Sequence, residues 1–455
     1  MTFTLVCNGV LISGDKFIRN GAVLYDEKGI IRDVGDTDEV RGRVFRANDP
    51  EIHLKIIDAK KKVIMPGFIC AHHHLYSTFA RGMYLPGKPA GNFVEILKKL
   101  WWRLDKTLRS EDIYWSAMVA LLECIRNGVT TIIDHHESQA YQVGSLDDIK
   151  RAVEKSGIRA AICFGTSDRY GKGREGLDEN ERFLGSLAGA SPQNPHPLVA
   201  GMVGLHASFT VNDDTLGRSV ELAKRFKTGI HIHCAEDISD QKACLKKYKM
   251  RVVERLNKAG ALGEKTLLVH CIHLAEKELS IIKKTKTNVV HNPESNMNNA
   301  VGCADVLKMF KKGIVAGLGT DGMSSDMLAQ MRCAYLLQRH FHGDPRVAFN
   351  EAPGMLLENN KVIAGRIFGY PVGELKKGAP ADIVILDYYP PTPLTGDNFY
   401  GHLIFGMVDA AVDTVIVNGR LIMRDRTLSG IDEKYVAAKS REVAEKFWKA
   451  IIESK

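Results

Sequence analysis

The 455-residue sequence contains no apolar run long enough to span a bilayer, which argues against a membrane partner. Its start, Met1-Thr2-Phe3-Thr4-Leu5-Val6-Cys7-Asn8-Gly9, lacks the charged segment, apolar core and small-residue cleavage site of a secretory leader. Disulfide framework spacing is missing too. The nine cysteines are odd in number, and Cys70, Cys124 and Cys163 sit in apolar runs, so buried thiols in a reducing cytoplasm are expected. Blocked charge is also absent. The 62 Lys+Arg against 54 Asp+Glu give a net +8, but the excess is spread through helical stretches as solvated faces, so no nucleic-acid partner is expected. Low-complexity segments are lacking as well.

What remains, 45% hydrophobic and 25% charged residues, is the composition of an ordinary globular protein. The length exceeds what one core usually supports, so a large barrel with an accessory unit is expected. Short apolar runs at 63–74, 129–136, 159–166, 199–207, 228–236, 266–273, 287–295 and 313–321 alternate with helical patterns such as Leu216, Val220 and Ala223. Eight such strands predict an α/β fold, a parallel (β/α)8 TIM-like barrel over 63–379, with a doubly wound open sheet as the alternative.

Both ends read as β-hairpin material. Asn8-Gly9, Asn20-Gly21 and Lys28-Gly29 are turn signals in residues 1–62, and Asn418-Gly419 is another in 380–430. Because the barrel interrupts them, one small β-sandwich built from 1–62 and 380–430 is the economical solution. Residues 431–455 are assigned to a terminal helix, with Val443, Phe447 and Ile451 on one face.

Three histidines, His72-His73-His74, close the first run. On a strand, residues two apart share a face, so His72 and His74 aim together while His73 points away. Two converging imidazoles are half of a transition-metal site, although a short His-x-His can equally be a fortuitous polar cluster. Further polar residues end later runs: His231 and His233 before Glu236, then His270 and His273, then Asp321. Barrel enzymes keep their chemistry at that rim, and so many buried polar groups are costly as mere packing. After His74 the chain takes a long route through Arg81-Gly82 and a Pro/Gly-rich stretch, the signature of a functional lid. A helix follows, with Phe93, Ile96, Leu97, Leu100, Trp101 and Leu104 at core spacing. Trp101 is assigned to packing; Trp102, off that stripe, is a candidate for stacking on a planar substrate.

These residues carry a resemblance. Pro66-Gly67 leading to His72-x-His74, His233-x-x-Glu236, His270-Cys271-Ile272-His273, His291-Asn292-Pro293-Glu294-Ser295-Asn296 and Gly319-Thr320-Asp321-Gly322 stand in the order found in the amidohydrolase superfamily. The chain resembles its cytosine deaminase/chlorohydrolase branch over nearly its whole length. More narrowly, Leu100-Trp101-Trp102-Arg103-Leu104-Asp105, Ile133-Asp134-His135-His136 and 295–299 are similar to the SsnA group of aminohydrolases.

The resemblance implies His72, His74, His233 and Asp321 as ligands of one divalent metal ion, zinc first and iron(II) second. Two-metal relatives bridge their ions with a lysine from a strand end, and neither 159–166 nor 199–207 contains one. It implies catalytic roles for Glu236, shuttling protons to a ring nitrogen, for His270, orienting the attacking water, and for Asp321, taking and returning its proton. His231 would support the site. His206, Arg81, Trp102 and His136 are the candidate substrate-binding residues, and His135 lies at the same rim. The expected activity is hydrolytic deamination of a purine-, pterin- or pyrimidine-like heterocycle with ammonia release, free bases being favoured over nucleotides. Hydrolytic opening of a cyclic amide or amidine is the alternative. A catalytically silent scaffold is disfavoured because no ligand or acid is missing. A homo-oligomer is expected by the same resemblance.

Overall fold

The computed structural model describes residues 2–46, 53–188 and 195–453. The chain begins with five strands, β1 (Thr2–Ser13), β2 (Lys16–Asp26), β3 (Ile31–Asp36), β4 (His53–Asp58) and β5 (Val63–Pro66). Nine further strands follow, alternating with helices: β6 (Phe68–His73), β7 (Val129–Asp134), β8 (Arg159–Ile162), β9 (Val199–Gly201), β10 (Val203–Ala207), β11 (Ile230–Cys234), β12 (Leu267–His270), β13 (Asn288–His291) and β14 (Ala316–Leu318). The last four are β15 (Ile383–Asp387), β16 (Ala411–Val417), β17 (Arg420–Arg424) and β18 (Thr427–Leu428), before the helix Glu433–Glu453.

The fold is α/β with parallel sheets. Strands β6 to β9 form one parallel sheet of four and β10 to β14 another of five, each in sequence order. The chain passes from β9 to β10 through Met202 alone, so the run 199–207 serves both sheets. At the opposite seam Thr320 N and Asp321 N both donate to His72 O, at 3.0 and 3.1 Å. Ala71, Ile133, Ala161, Cys163, Met202, Leu267 and Val290, drawn from strands of both sheets, share one buried cluster. Such apolar side chains suit strands buried on both faces.

Run 63–74 is two strands rather than one. Residues 63–66 pair with β1 and β15, whereas 68–73 pair with β7. Pro66 cannot donate to a ladder, and Gly67 lies so close to Thr130 that an added Cβ would stand 2.1 Å from its Cγ2. The chain therefore changes sheets there.

Both ends meet in one nine-stranded sheet, ordered β18-β17-β16-β15-β5-β1-β2-β3, with β4 on β1. Two expected turns are not turns. Asn8-Gly9 and Asn20-Gly21 lie inside β1 and β2, where Gly9 opposes Gly21 across a bulge. A Cβ on Gly21 would sit 2.2 Å from Leu11 Cβ, so close approach, not reversal, requires glycine. Asn418-Gly419 does reverse the chain between β16 and β17, with φ of 49° and 75°. The last helix buries Val443, Phe447 and Ile451, as its periodicity predicts. Arg159 on β8, fully buried, is ion-paired with Asp382 beside β15 and ties the sheets together. Among the described residues, no helix is long and apolar enough to cross a membrane.

Candidate active site

His72 and His74 leave the end of β6, and His233 leaves β11. Each ring is held through Nδ1. His74 Nδ1 donates to His135 O at 2.6 Å, and His233 Nδ1 to His206 O at 2.7 Å. His72 Nδ1 meets His231 Nε2 at 2.9 Å, which gives His231 the supporting place its sequence position suggests. With the ring protons on Nδ1, the three Nε2 lone pairs point inward. His74 Nε2 stands 3.2 Å from His233 Nε2 and 3.1 Å from Asp321 Oδ1, and His72 Nε2 is 3.9 Å from the same oxygen. A tetrahedral ion with arms of about 2.1 Å separates its ligands by about 3.3 Å, so these spacings fit one ion. His72 Nε2 is buried without a hydrogen-bond partner, as a ligand atom awaiting a cation would be. His73 points away and bonds Thr320 Oγ1 at 2.7 Å.

Electrostatics agree with that use. Burial and the neighbouring imidazoles push His72 well down and His233 to about 3, leaving neutral rings able to ligate. Burial pushes the Asp321 carboxyl up, but His74 and the other imidazoles outweigh it and hold Asp321 below the usual carboxylate range. Burial, reinforced by Asp321, raises Glu236 well above its ordinary value, which favours the protonated acid.

His270 Nε2 lies 3.7 Å from Asp321 Oδ2 and 3.5 Å from Glu236 Oε2, while its Nδ1 meets Asn296 Oδ1 at 2.8 Å. The helix Pro293–Asn298 and the residue after it brace both acids. Ser295 Oγ donates to Asp321 Oδ2 at 2.6 Å, and Asn299 Nδ2 donates to Glu236 Oε1 at 3.3 Å. His270 and Asp321 both take left-handed backbone conformations, φ of 70° and 54°. Such strain in residues with a Cβ concentrates at functional sites.

All of this faces a cavity of about 770 Å³, its open mouth included. His206 and Trp102 line it, as expected. Trp101 lines it too, against its assignment to packing alone. Phe93 and Leu97, eight and four residues before it on the same stripe, line the cavity as well, so the apolar face of this helix packs and forms the cavity wall at once.

Arg81 and His136 are corrected. Arg81 faces away, its guanidinium bonded to Glu123 with Nη2 2.8 Å from Oε2, and does not line the cavity. His136 is buried behind Tyr76, its Nε2 2.8 Å from Ser138 Oγ. His135 is fully buried among His74, His231 and His233 and works through its carbonyl. The sequence reading missed Asp105, Glu137, Ser295 and Asn299, all of which line the cavity. Ser295, Asn299 and Asp105 do stand in the stretches that carry the resemblance, 291–296, 295–299 and 100–105, but nothing there marked them as site residues.

Residues 63–422 match the model of the amidohydrolase family. The chain belongs to that family. A 5-methylthioadenosine/S-adenosylhomocysteine deaminase of Syntrophomonas wolfei is 33% identical over 397 residues, 86% of this chain and 88% of that one. A 5′-deoxyadenosine deaminase of Methanosarcina mazei is 31% identical over 396 residues, again 86% and 88%. An adenosine deaminase structure from Xanthomonas campestris with bound zinc has a TM-score of 0.83 at 20% identity, covering 98% of both chains. That likeness shows a TIM-barrel-like α/β fold. As an amidohydrolase with deaminase relatives, this protein is a hydrolase acting on carbon–nitrogen bonds.

Proposed function

We propose that this amidohydrolase deaminates a purine-like ring, exchanging an exocyclic amine for oxygen: ring–NH2 plus water gives ring=O plus ammonia. The observation that carries the reading is the placement of Glu236, largely shielded from solvent, beside His270 and Asp321 on one wall of the cavity. An acid that holds its proton can give it to the ring nitrogen next to the attacked carbon, which draws electrons from that carbon. His72, His74, His233 and Asp321 would hold one divalent ion, zinc before iron(II), and when bound it lowers the pKa of a water toward about 7. Asp321 takes the proton of that water and returns it to the departing amine. His270, with Nδ1–H given to Asn296, keeps an Nε2 lone pair for the water's second hydrogen.

The architecture proposed with it is a (β/α)8 barrel formed by the two parallel sheets. The seam at His72 and the passage through Met202 support closure. Residues 1–62 and 380–430 form the composite β-domain around it. Nine unpaired thiols fit a cytoplasmic protein. The relatives' printed names make adenosine-type substrates the first to test. Zinc-loaded protein should release one ammonia per purine consumed. A ring-opened product with unchanged nitrogen count would favour the alternative hydrolysis, and loss of neither would refute both.

A further inference from the structure

Six carboxyl residues line the cavity, Asp105, Glu137, Glu236, Asp237, Asp240 and Asp321, and no lining residue is lysine or arginine. A guanidinium behind this lining is shared by two of these carboxyls. Arg169 gives Nη2 to both Glu137 Oε2, at 2.5 Å, and Asp105 Oδ2, at 3.3 Å, and its Nε to Ser167 Oγ at 2.9 Å. Its Cζ lies 4.7 Å from the Trp102 ring, its Nη1 is buried without a hydrogen-bond partner, and Arg169 itself does not line the cavity. Asp105 is 1% and Glu137 2% exposed, so the three groups form a buried wall in which two carboxyls share one guanidinium. Its cavity-lining residues still carry unused capacity: Asp105 Oδ1, an acceptor, and Trp102 Nε1, a donor, are buried without partners.

An anionic substituent brought against this wall would lose its water and meet no free cation, and burying an unpaired charge is costly. A hydroxyl, an amine or a ring N–H would instead satisfy Asp105 Oδ1. We infer that the Asp105–Glu137–Arg169 wall selects substrates whose ring substituents are neutral or cationic and rejects those carrying carboxylate or phosphate. This rests on the deaminase reading and deepens it, since the names of the relatives span both a neutral nucleoside and an amino-acid-bearing one.

The test is a matched series on zinc-loaded wild-type enzyme: 5′-deoxyadenosine, 5′-amino-5′-deoxyadenosine, adenosine-5′-carboxylate and adenosine 5′-monophosphate. Their ring chemistry is identical. The two anions should fall below the neutral compound in kcat/KM by on the order of 100-fold, and the amine should not. Equal kcat/KM across the series overturns the inference while leaving the deaminase reading intact. If no member is deaminated, that reading fails. Calorimetric binding of the same four compounds then decides the inference separately, weak anion binding supporting it and equal binding overturning it. In the double variant Asp105→Asn/Glu137→Gln, which frees Arg169, the anions' disadvantage should shrink by about tenfold, in KM rather than kcat. An unchanged ratio in a folded variant counts against the wall, and the wild-type series decides alone if the variant does not fold.

Discussion

His74 Nε2 and His233 Nε2 stand 3.2 Å apart, although each ring has its Nδ1 bonded to a backbone carbonyl. Two lone pairs cannot face one another so closely unless something positive lies between them. A proton can serve, and Asp321 does outweigh burial enough to raise His74 above its ordinary value. A metal ion serves all four ligand atoms at once. Stripping metal from the loaded protein should therefore lower its melting temperature, and one equivalent of zinc should restore it. Two tightly held ions per chain, measured by elemental analysis, would refute the one-metal site.

His231 should govern metal affinity without touching the ion. It fixes the His72 tautomer through its 2.9 Å contact. His231→Phe is expected to weaken zinc binding by about 10–100-fold in competition with a chelator, with the fold retained.

Glu236→Gln keeps the shape of the side chain and its contact with Asn299 but removes the transferable proton. Metal content should stay at the wild-type level while kcat falls by roughly 100-fold or more. A variant that lost its metal, or turned over normally, would contradict the assignment.

Ser295 donates to Asp321 Oδ2, the oxygen nearest His270. Ser295→Ala should leave folding almost unchanged and reduce kcat by about tenfold, because a misoriented carboxylate transfers protons less well. Its KM should move little.

Asp240 tests pH linkage. Burial lifts its carboxyl from 3.8 to about 7, against the pull of the Ala235 N–H, which it accepts at 2.9 Å. Between those values the unfolded chain has lost a proton that the native state keeps. This group's contribution is therefore full below about pH 4, falls as pH rises, and is lost above about 7. Asp240→Asn should flatten the decline in stability over that window, as measured by urea midpoints at several pH values.

The sequence by itself determined the order of strands and helices and the polar residues that end the runs, because apolar periodicity is local and survives in a linear string. Which of those polar residues are candidate ligands, His72, His74, His233 and Asp321, and the candidate acid, Glu236, came from the order of motifs shared with the amidohydrolase family. The split at Gly67 was not legible, because it depends on Thr130, which lies 63 residues away. Nor was the cavity that Phe93, Leu97 and Trp101 line, since its other walls come from distant parts of the chain.

Arg81 reads as a substrate contact only until Glu123, on another element, takes its charge. Nothing in the sequence linked Asp105, Glu137 and Arg169: they are separated by 32 residues at each step, and only folding makes one buried wall of them. Periodicity thus placed the chemistry at one rim. Which charges there stay free, and so what the site can accept, was decided by tertiary pairing, because a buried charge is defined by its neighbours and not by its residue type.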